Sequence, residues 1–325
     1  MLISVVVTTY NRAALLREAL SSLGRLEGGD DLAFEIVVVD NGSSDATLEA
    51  IQDFSSRTSR VVRSCHEATP GVAAARNRGV REALGDWVAF FDDDQLADPR
   101  WLCELMEVAR TTDAQCVGGR VTLAMEQSPR WPLRGFCRGL LGETLHGDLP
   151  KPFAGKHVPG TGNVLLHRRV FEAVGLFDER LVQGAEDADF FRRTRACGFA
   201  MWYAPAARVA HHVPSYRLSE EYLIWVASRH GANYAIMDRK ERGRERLLVT
   251  ALLRFGQALG VTVPSLLRAM LASDGALRLE GRCLFARSIA YGRQAVHLVA
   301  PRAFRQRRFF EYLRFRGERG RFTLA

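Results

Sequence analysis

The chain has 325 residues, of which 47% are hydrophobic and 25% are charged, and its formal net charge at pH 7 is +8. This composition excludes a disordered chain and predicts a soluble globular protein with one large domain and an appendage, or with two domains. The six cysteines form no CxxC pair and no Cys/His zinc spacing. We therefore expect no zinc site and a reduced, cytoplasmic setting.

Neither a signal peptide nor a membrane span is expected from the sequence. The apolar run near the start, residues 3–7, has only the length of a strand and lacks a basic flank. In the C-terminal third, Arg254 and Gln257 interrupt the best candidate before it reaches the roughly 18 residues that a span needs. The sequence thus predicts that the chain does not cross a membrane by itself.

The first third of the chain alternates between short apolar runs and helical patterns. We predict strands over residues 3–9, 34–40, 60–63 and 87–91, and helices over residues 13–23, 46–54 and 71–84. Such alternation is typical of βαβ units, so the expected fold class is α/β, with a mostly parallel sheet flanked by helices. The chain contains no GxGxxG after its first strand and no GxxxxGK[ST], which disfavours a dinucleotide fold of the usual kind and a P-loop.

Polar loops follow the first two strands, where an α/β sheet places its ligands. The first is Thr8-Thr9-Tyr10-Asn11-Arg12, and the second runs from Asp40 to Asp45. Turn formation and helix capping account for Ser43, Ser44 and Asp45. They leave Asp40 open to either a structural role or a ligand contact.

The helix after Pro70-Gly71 places one arginine among its apolar residues. Spacing of 100° per residue puts Arg76 inside the apolar stripe, whereas Arg78 and Arg81 point away from it. An inward guanidinium needs a partner, which is either an internal carboxylate or an anionic ligand such as a diphosphate. Asn77 lies beside it in the sequence.

Three consecutive carboxylates, Asp92-Asp93-Asp94, end the apolar strand at residues 87–91. Their mutual repulsion at a strand end is reduced by a cation, a shifted pKa or hydrogen bonding. Mg²⁺ or Mn²⁺ suits oxygen ligands of this kind and leaves positions for phosphate and water. The alternative is a solvated acidic loop.

A long irregular stretch and two further motifs follow. Residues 126–157 show no regular spacing of apolar residues. Within this stretch, Trp131 can stack on a sugar, touch a membrane surface or pack ordinarily.

In the later helix that starts at Glu186, the projection puts Asp187 on the inward face and Asp189 opposite. Asp187 therefore suits a general base, although stabilisation of the helix N-terminus explains the same acids. The strand at residues 207–210 leads into His211-His212, of which one imidazole can reach a metal or a diphosphate.

The remainder is helical. We predict helices over residues 220–238, 241–259, 264–272 and 278–298, and a domain boundary near Tyr216 that separates residues 1–215, with halves 1–95 and 96–215, from residues 216–325. Residues 301–325 contain eight arginines against two glutamates, interleaved with aromatic residues. This composition is typical of a membrane-surface segment or of a solvated basic tail.

Taken together, these motifs resemble glycosyltransferase family 2, the inverting enzymes with a GT-A fold. The resemblance rests on the loop at residues 5–12, the loop at 39–45, Gly71 to Gly79, Phe91 to Asp94, Gly162-Asn163, the segment 175–179 and Glu186-Asp187, in the order and spacing of the family and over residues 1 to 215. It implies transfer of a sugar, of the hexosyltransferase type, from a nucleotide-diphosphate sugar by metal-assisted single displacement.

The resemblance also assigns roles to individual residues. Asp187 would be the catalytic base with Glu186 beside it, and Asp94, Asp92 and His211 would hold Mn²⁺ or Mg²⁺, with His211 preferred over His212. Sugar contacts would come from Gly162 and Asn163, joined by Trp131. Nucleotide binding would fall to Thr8, Thr9, Tyr10, Asn11, Arg12, Asp40, Gly71, Arg76, Asn77, Asp92 and Asp93, of which Thr9, Tyr10 and Asp40 face the base and Asp93 occupies the variable middle position of the Asp-X-Asp motif.

Three other functions compete with this interpretation. A sugar nucleotidyltransferase should carry a glycine-rich phosphate loop after its first strand, but the first glycine here is Gly24. A non-catalytic nucleotide- or glycan-binding module remains open, and nucleic-acid binding is disfavoured because little net charge lies outside the tail. We expect a glycan or lipid-linked acceptor and surface-polysaccharide or glycolipid synthesis. We expect the protein in the cytoplasm. Its basic tail is available for peripheral contact with the inner face of the membrane, and its C-terminal helices are available to form a homodimer. The base, sugar and linkage stay undetermined.

Overall fold

The computed structural model describes residues 1–28, 32–144, 146–155, 157–181 and 184–302. These residues form two compact units. The first unit takes residues 1–124 and 146–212, and the second takes residues 125–144 and 213–302. The division into residues 1–215 and 216–325 remains a prediction, and the compact units differ from it by grouping residues 125–144 with the C-terminal helices.

The first unit begins with three βαβ crossovers. Strands β1, β2, β3 and β4 lie side by side in the order β3-β2-β1-β4, and all three pairings are parallel. The elements are β1 Leu2–Thr9, α1 Ala13–Gly24, β2 Ala33–Asp40, α2 Thr47–Arg57, β3 Val61–His66, α3 Val72–Glu82 and β4 Trp87–Asp92. Every predicted strand and helix of this part is present. The carboxyl ends of β1, β2 and β4 therefore meet at one edge of the sheet.

Beyond β4 the sheet continues in the order β8-β6-β9-β5, and β7 pairs with β9. Strand β8 pairs antiparallel with both β4 and β6, so β6 runs in the same direction as β4, and β9 pairs antiparallel with β5 and β7. The elements are β5 Gln95–Ala97, α4 Trp101–Thr112, β6 Cys116–Met125, α5 Gly135–Leu140, β7 Lys151–Pro152, β8 Asn163–His167, α6 Arg168–Val174, α7 Glu186–Ala196 and β9 Met201–Val213. The α/β class is confirmed. The antiparallel pairings appear only beyond β4, and the sequence could not show them because strand direction leaves no mark on hydrophobic periodicity.

Side chains on the two faces of the sheet enter two separate apolar cores. On β1, Val5 and Val7 pack with α1 and α4, whereas Val6 packs on the opposite face with α3, α6 and α7. On β4, Phe91 joins the first core and Phe90 joins the second. Alternation of this kind explains why the strands are apolar throughout, since both faces are covered. The acid cluster is thus attached to a rigid, buried strand.

The second unit is built on long helices. They are α8 Glu220–Gln257, α9 Val263–Leu271 and α10 Gly275–Val299, with a 3₁₀ turn at Ser215–Leu218 and a π turn at Ala258–Thr262. Gly243 interrupts α8 with φ 78° and ψ −175°, close to the break predicted between residues 238 and 241. A small core containing Ala235, Leu247, Tyr291 and Ala295 joins both halves of α8 to α10.

The expectation that no segment is long and apolar enough to cross a membrane is wrong. Among the described residues, one helical stretch, Glu220–Leu271, passes by length and composition, although only 17% of its most apolar window is buried. Arg254 is the only charged residue between Leu247 and Leu267. One charge and one glutamine do not offset the hydropathy of the many leucines and valines in this stretch. The aromatic and basic tail predicted for membrane contact lies outside the described residues from position 303 onward.

Close packing between α3 and β1 generates a test of the fold. A Cβ added to Gly79 would collide with Val6 Cγ1 in the second core, where Val39 Cγ2 lies 3.4 Å away. We expect Gly79→Ala to lower the free energy of unfolding by about 1–3 kcal/mol through overpacking. Urea denaturation followed by tryptophan fluorescence measures this change.

Gly292→Ala provides the matched control. Gly292 also lies inside a helix, α10, but an added Cβ meets no atom within 4 Å. Its stability should stay the same or rise by about 0.5–1 kcal/mol, because alanine loses less backbone entropy in a helix than glycine. Equal stability of the two variants would contradict the described packing of α3 on β1.

Candidate functional site

The acid cluster lies in a tight turn between β4 and β5. Asp92 ends β4 and Gln95 begins β5, so Asp93 and Asp94 occupy the turn itself. Strand β5 pairs with β9 so that Gln95 lies opposite His211, and the His212 backbone N–H donates to the Asp94 carbonyl oxygen at 2.8 Å. This pairing carries the imidazole of His211 to 3.5 Å from Asp94 Oδ2. Since side chains alternate along a strand, the geometry favours His211 over His212 as the histidine of the cluster.

Arg12 supplies the nearest positive charge to the turn. Its Nη1 lies 2.7 Å from Asp93 Oδ1 and 3.0 Å from Asp94 Oδ2. The Asp93 side chain is 6% exposed, and burial raises the pKa of this carboxyl, an effect that the Arg12 charge opposes. The sequence interpretation gave the charge of Asp93 no function in the motif, whereas the structure gives it a partner. The register of β1 on β4, in which Thr8 lies opposite Asp92, brings Arg12 to the turn, and the sequence carries no signal of that register.

Arg76 occupies the other side of the cluster. It is 7% exposed on α3, as the helical projection predicts, and Nη1 lies 2.7 Å from Glu186 Oε1 while Nη2 lies 3.8 Å from Asp92 Oδ1. Of the two partners that the sequence left open, the structure shows the internal carboxylate. Burial raises the pKa of Asp92 to about 6, opposed by the Arg76 charge and reinforced by Asp94.

The acids at the start of α7 differ in their surroundings. Glu186 is 6% exposed and paired with Arg76, and burial raises its pKa against the opposing effect of that guanidinium. Asp187 is half-buried, and its Oδ1 accepts a hydrogen bond from the Ala188 N–H at 2.6 Å. The prediction that Asp187 lies on the inward face and Asp189 opposite it is wrong, since Asp189 is 2% exposed and bound by Arg193 Nε at 2.8 Å, whereas Asp187 is the more exposed of the two. Glu186 and Asp189 therefore carry structural ion pairs, while Asp187 keeps access to solvent.

Three loops at the carboxyl edge of the sheet are joined by hydrogen bonds. Asn11, with φ 51°, accepts at Oδ1 from the Ser44 N–H at 2.7 Å and donates its own N–H to Ser43 Oγ. Asp40 Oδ1 accepts from the Ser43 N–H at 3.0 Å, which is the structural role that the sequence left open. Asn41 Oδ1 accepts from the Gly71 N–H at 2.8 Å. The loop after β1 is thereby held rigidly beside the loop after β2.

Other predicted nucleotide residues occupy the same edge. Thr8 and Thr9 are the last residues of β1, where they pair with Asp92 and Asp40 respectively, and Tyr10 follows with 58% of its surface exposed. Asn77, by contrast, lies against the segment after α6: its amide donates to the Phe177 carbonyl at 3.0 Å and to Glu179 Oε1 at 2.8 Å. The structure thus brings the β1 residues to the acid cluster and uses Asn77 to hold a neighbouring loop.

Of the three predicted sugar contacts, two lie in the first unit. A Cβ on Gly162 would collide with the Asp92 carboxylate, so only glycine allows this close approach. The Asn163 amide is engaged internally, accepting from Trp101 Nε1 at 2.7 Å and donating to the carbonyls of Arg120 at 2.9 Å and Ala207 at 3.0 Å. Trp131 belongs to the second unit, where it lines a cavity of about 530 Å³ with Arg282 and Glu220. Its role as a sugar contact stays a prediction.

The donor set around Asp94 suits a divalent cation that takes few ligands from the protein. The His211 imidazole lies 3.5 Å from Asp94 Oδ2 with the Asp92 carboxylate close by, but the described residues contain no group of three or more His, Cys, Asp or Glu side chains that could hold a metal ion by themselves. Two buried oxygens nearby, Gln95 Oε1 and Glu186 Oε2, have no hydrogen-bond partner. Mg²⁺ and Mn²⁺ commonly combine one or two protein carboxylates with phosphate and water, which fits this arrangement.

The raised pKa of Asp92 predicts how the metal-free protein responds to pH. Between pH 3.8 and about 6 the folded chain holds a proton that the unfolded chain has released, so the free energy of unfolding falls as pH rises through this window. Asp92→Asn removes the ionisable carboxyl and with it this loss of stability. We expect the variant to unfold at a higher temperature than the wild type in EDTA, with a difference that grows up to pH 6 and is constant above it.

Asp113→Asn serves as the control for this measurement, because Asp113 is an exposed carboxylate in the left-handed position that ends α4, which asparagine also adopts readily. Thermal unfolding by circular dichroism at several pH values compares the three proteins. A pH-independent difference between Asp92→Asn and the wild type would contradict the assigned pKa.

Comparison with known proteins places this geometry in context. Residues 4–175 match the family model described as Glycosyl transferase family 2. Succinoglycan biosynthesis protein ExoM of Rhizobium meliloti (strain 1021) is 30% identical over 233 residues, which is 70% of this chain and 71% of the relative. Glucosyl-dolichyl phosphate glucuronosyltransferase of Haloferax volcanii is 28% identical over 256 residues, covering 73% of this chain and 78% of the relative.

A solved structure agrees in fold. Mannosyltransferase PcManGT from Pyrobaculum calidifontis, in complex with GDP-Man and Mn²⁺, is similar with a TM-score of 0.61 at 20% identity, covering 89% of this chain and 86% of that chain. This likeness shows the fold alone, and it confirms the expected GT-A arrangement. Because the family match spans more than half of the chain, and the carboxylate cluster lies inside it, the protein belongs to glycosyltransferase family 2.

Proposed function

We propose that the chain is an inverting, metal-dependent glycosyltransferase that moves a sugar from a nucleotide-diphosphate sugar to an acceptor hydroxyl. The observation that carries this proposal is the convergence of Asp92, Asp94 and His211 at the carboxyl edge of the sheet, between two arginines. A solvated acidic loop would not be buried and ion-paired in this way. Binding of GDP-Man and Mn²⁺ by PcManGT supports the same chemistry.

The donor nucleotide is proposed to bind along the three joined loops. Thr9, Tyr10 and Asp40 would face the base, with the exposed Tyr10 ring available for stacking and Asp40 accepting from a base N–H. Arg12 and Arg76 flank the carboxylates and offset part of their negative charge. Each guanidinium can also bind a phosphate oxygen of the donor. A diphosphate is one of the two partners that the sequence analysis left open for Arg76.

Asp94, Asp92 and His211 are the residues that would hold the divalent cation. When bound there, Mn²⁺ or Mg²⁺ neutralises charge that develops on the leaving diphosphate. The His211 imidazole, with Nε2 3.5 Å from Asp94 Oδ2, would join that carboxylate at the cation. Asp93 is bound by Arg12, so it holds the turn in place and need not contact the cation.

Asp187 is proposed as the general base. A base must meet the acceptor, and Asp187 is accessible whereas the neighbouring Glu186 is buried against Arg76. As the acceptor oxygen attacks the anomeric carbon, its proton passes to Asp187 and the bond from that carbon to the diphosphate oxygen breaks on the opposite face. One displacement inverts the anomeric centre. No carboxylate nucleophile of the retaining kind is required.

The acceptor is proposed to be a glycan or a lipid-linked glycan in surface-polysaccharide or glycolipid synthesis. Two relatives carry names from these areas, succinoglycan biosynthesis and glucosyl-dolichyl phosphate. Their names support the class of acceptor and leave the donor base, the sugar and the linkage open. Sugar contacts by Gly162, Asn163 and Trp131 remain predictions, and Asn163 is the weakest because its amide is already engaged.

The donor site is tested by calorimetric titration with UDP, GDP, dTDP and CDP, each with and without Mn²⁺. We expect one nucleotide to bind in a metal-dependent way, because its diphosphate completes the coordination that the protein leaves open. Asp94→Asn should reduce its affinity to the value measured in EDTA, while Asp113→Asn should bind as the wild type does. Failure of all four nucleotides to bind would overturn the transferase proposal in favour of another ligand.

The base is tested separately by turnover. With the donor that the titration identifies, and membrane extract as a source of acceptor, release of nucleoside diphosphate should fall about 10²–10⁴-fold in Asp187→Asn, the usual contribution of general-base catalysis. Nucleotide affinity should be retained. Unchanged turnover would remove Asp187 from the mechanism, and absence of turnover in the wild type with intact nucleotide binding would favour a non-catalytic binding module.

A further inference from the structure

The second unit exposes a long apolar surface. Ten large hydrophobic side chains between positions 248 and 271 are each between 40% and 89% exposed, and they make up more than half of the exposed large hydrophobic side chains among the described residues. Monomeric soluble proteins rarely expose so many apolar groups together. We call this surface the apolar face, and it consists of Leu248, Val249, Leu252, Leu253, Phe255, Leu259, Val261, Leu267, Met270 and Leu271.

The opposite side of the same helices is packed inside the unit. Leu247, Ala258 and Ala269 are at most 1% exposed. Arg254, the only charged residue between positions 247 and 267, turns inward, with its guanidinium 4.2 Å from the centre of the Tyr291 ring. Half-buried Arg254 is therefore the single charged side chain between Leu248 and Leu267, and it lies against the Tyr291 ring.

A basic segment borders the apolar face at its N-terminal end. Residues 239–246 contain five basic and two acidic side chains, and Arg244 and Arg246 are exposed immediately before Leu247. At the other end, Arg268 is exposed between Leu267 and Met270. Cations beside an apolar helical surface are the arrangement by which amphipathic helices hold an anionic lipid surface, with the apolar side chains in the acyl boundary and the cations among the headgroups.

We propose that the apolar face and its basic border dock the protein on an anionic phospholipid surface, with the second half of α8 and α9 lying in the plane of the interface. Lipid is favoured over a protein partner because the face offers little for polar pairing. Gln257 is the only exposed side chain with a polar group between Leu248 and Leu267, whereas a stable protein interface carries about ten hydrogen bonds. In addition, the positive charges of the basic border complement the negative charges of anionic headgroups.

Lying on the membrane fits the structure better than crossing it. The stretch is interrupted by the π turn at Ala258–Thr262 and by Pro264. Its inner side also covers polar groups, including the hydrogen bond that Tyr291 Oη donates to Asp238 Oδ2 at 2.7 Å. A spanning helix would have to leave this bundle and expose those groups to lipid, which is costly.

The experiment uses the full-length protein, without nucleotide or acceptor, in sedimentation with vesicles of phosphatidylcholine alone or of equal parts phosphatidylcholine and phosphatidylglycerol. The wild type should bind the mixed vesicles more tightly. Leu252→Gln with Leu253→Gln should weaken that binding by at least about tenfold, because two side chains leave the acyl boundary. Arg244→Gln with Arg246→Gln should weaken it only for the anionic vesicles, and added salt should do the same.

Leu84→Gln with Leu149→Gln is the matched control. These leucines are 68% and 76% exposed, against 73% and 69% for Leu252 and Leu253, but they lie in the first unit. The control should bind vesicles as the wild type does, and circular dichroism should show that all variants are folded. Because no substrate is present, the result does not depend on the proposed transferase activity.

Two outcomes would overturn the proposal. Equal binding by the wild type and the Leu252/Leu253 variant would assign membrane contact to another part of the chain, such as the basic tail. Absence of vesicle binding, combined with a dimer in analytical ultracentrifugation that the Leu252/Leu253 variant converts to a monomer, would make the apolar face the interface of the homodimer predicted from the C-terminal helices.

Discussion

The negative charge of three adjacent carboxylates at the buried end of β4 has to be compensated by other parts of the first unit. Burying such charges is favourable only when close partners replace the lost water. Arg12 comes from the end of β1, Arg76 from α3 and His211 from β9, so three distant segments meet at one edge of the sheet. The raised pKa of Asp92 shows that this compensation is incomplete.

The need to compensate buried charge also explains why two neighbouring acids on α7 have different surroundings. Glu186 turns inward and satisfies Arg76, which fixes the guanidinium beside Asp92. Asp187, one residue later, is left half-buried. Because one carboxylate holds the arginine, the other remains accessible to solvent. Asp189 and Arg193 repeat the pairing on the side of the helix that faces the core.

The second unit follows a different physical rule. Its small core is closed by Leu247, Tyr291 and neighbouring alanines, and the Arg254 guanidinium lies over the rings of Tyr291 and Tyr234. With the only charge of the segment turned inward, the outer surface of the second half of α8 and of α9 is left apolar. Such a surface is costly in water. Contact with a lipid surface removes that cost without a change of fold.

Hydrophobic periodicity by itself determined the βαβ half, the helical character of the C-terminal region, the inward direction of Arg76 and the place of the acid cluster at a strand end. These are local properties, because burial on a strand or helix repeats every two or 3.6 residues. Only the tertiary structure decided the insertion of the antiparallel strand β8 between β4 and β6, the pairing of Arg12 with Asp93, the burial of Asp189 and the exposure of the apolar face. Each of these depends on which segments meet across long separations in the chain. An apolar residue has the same spacing whether its helix is covered or exposed, so the sequence could not show that the leucines of α8 face outward.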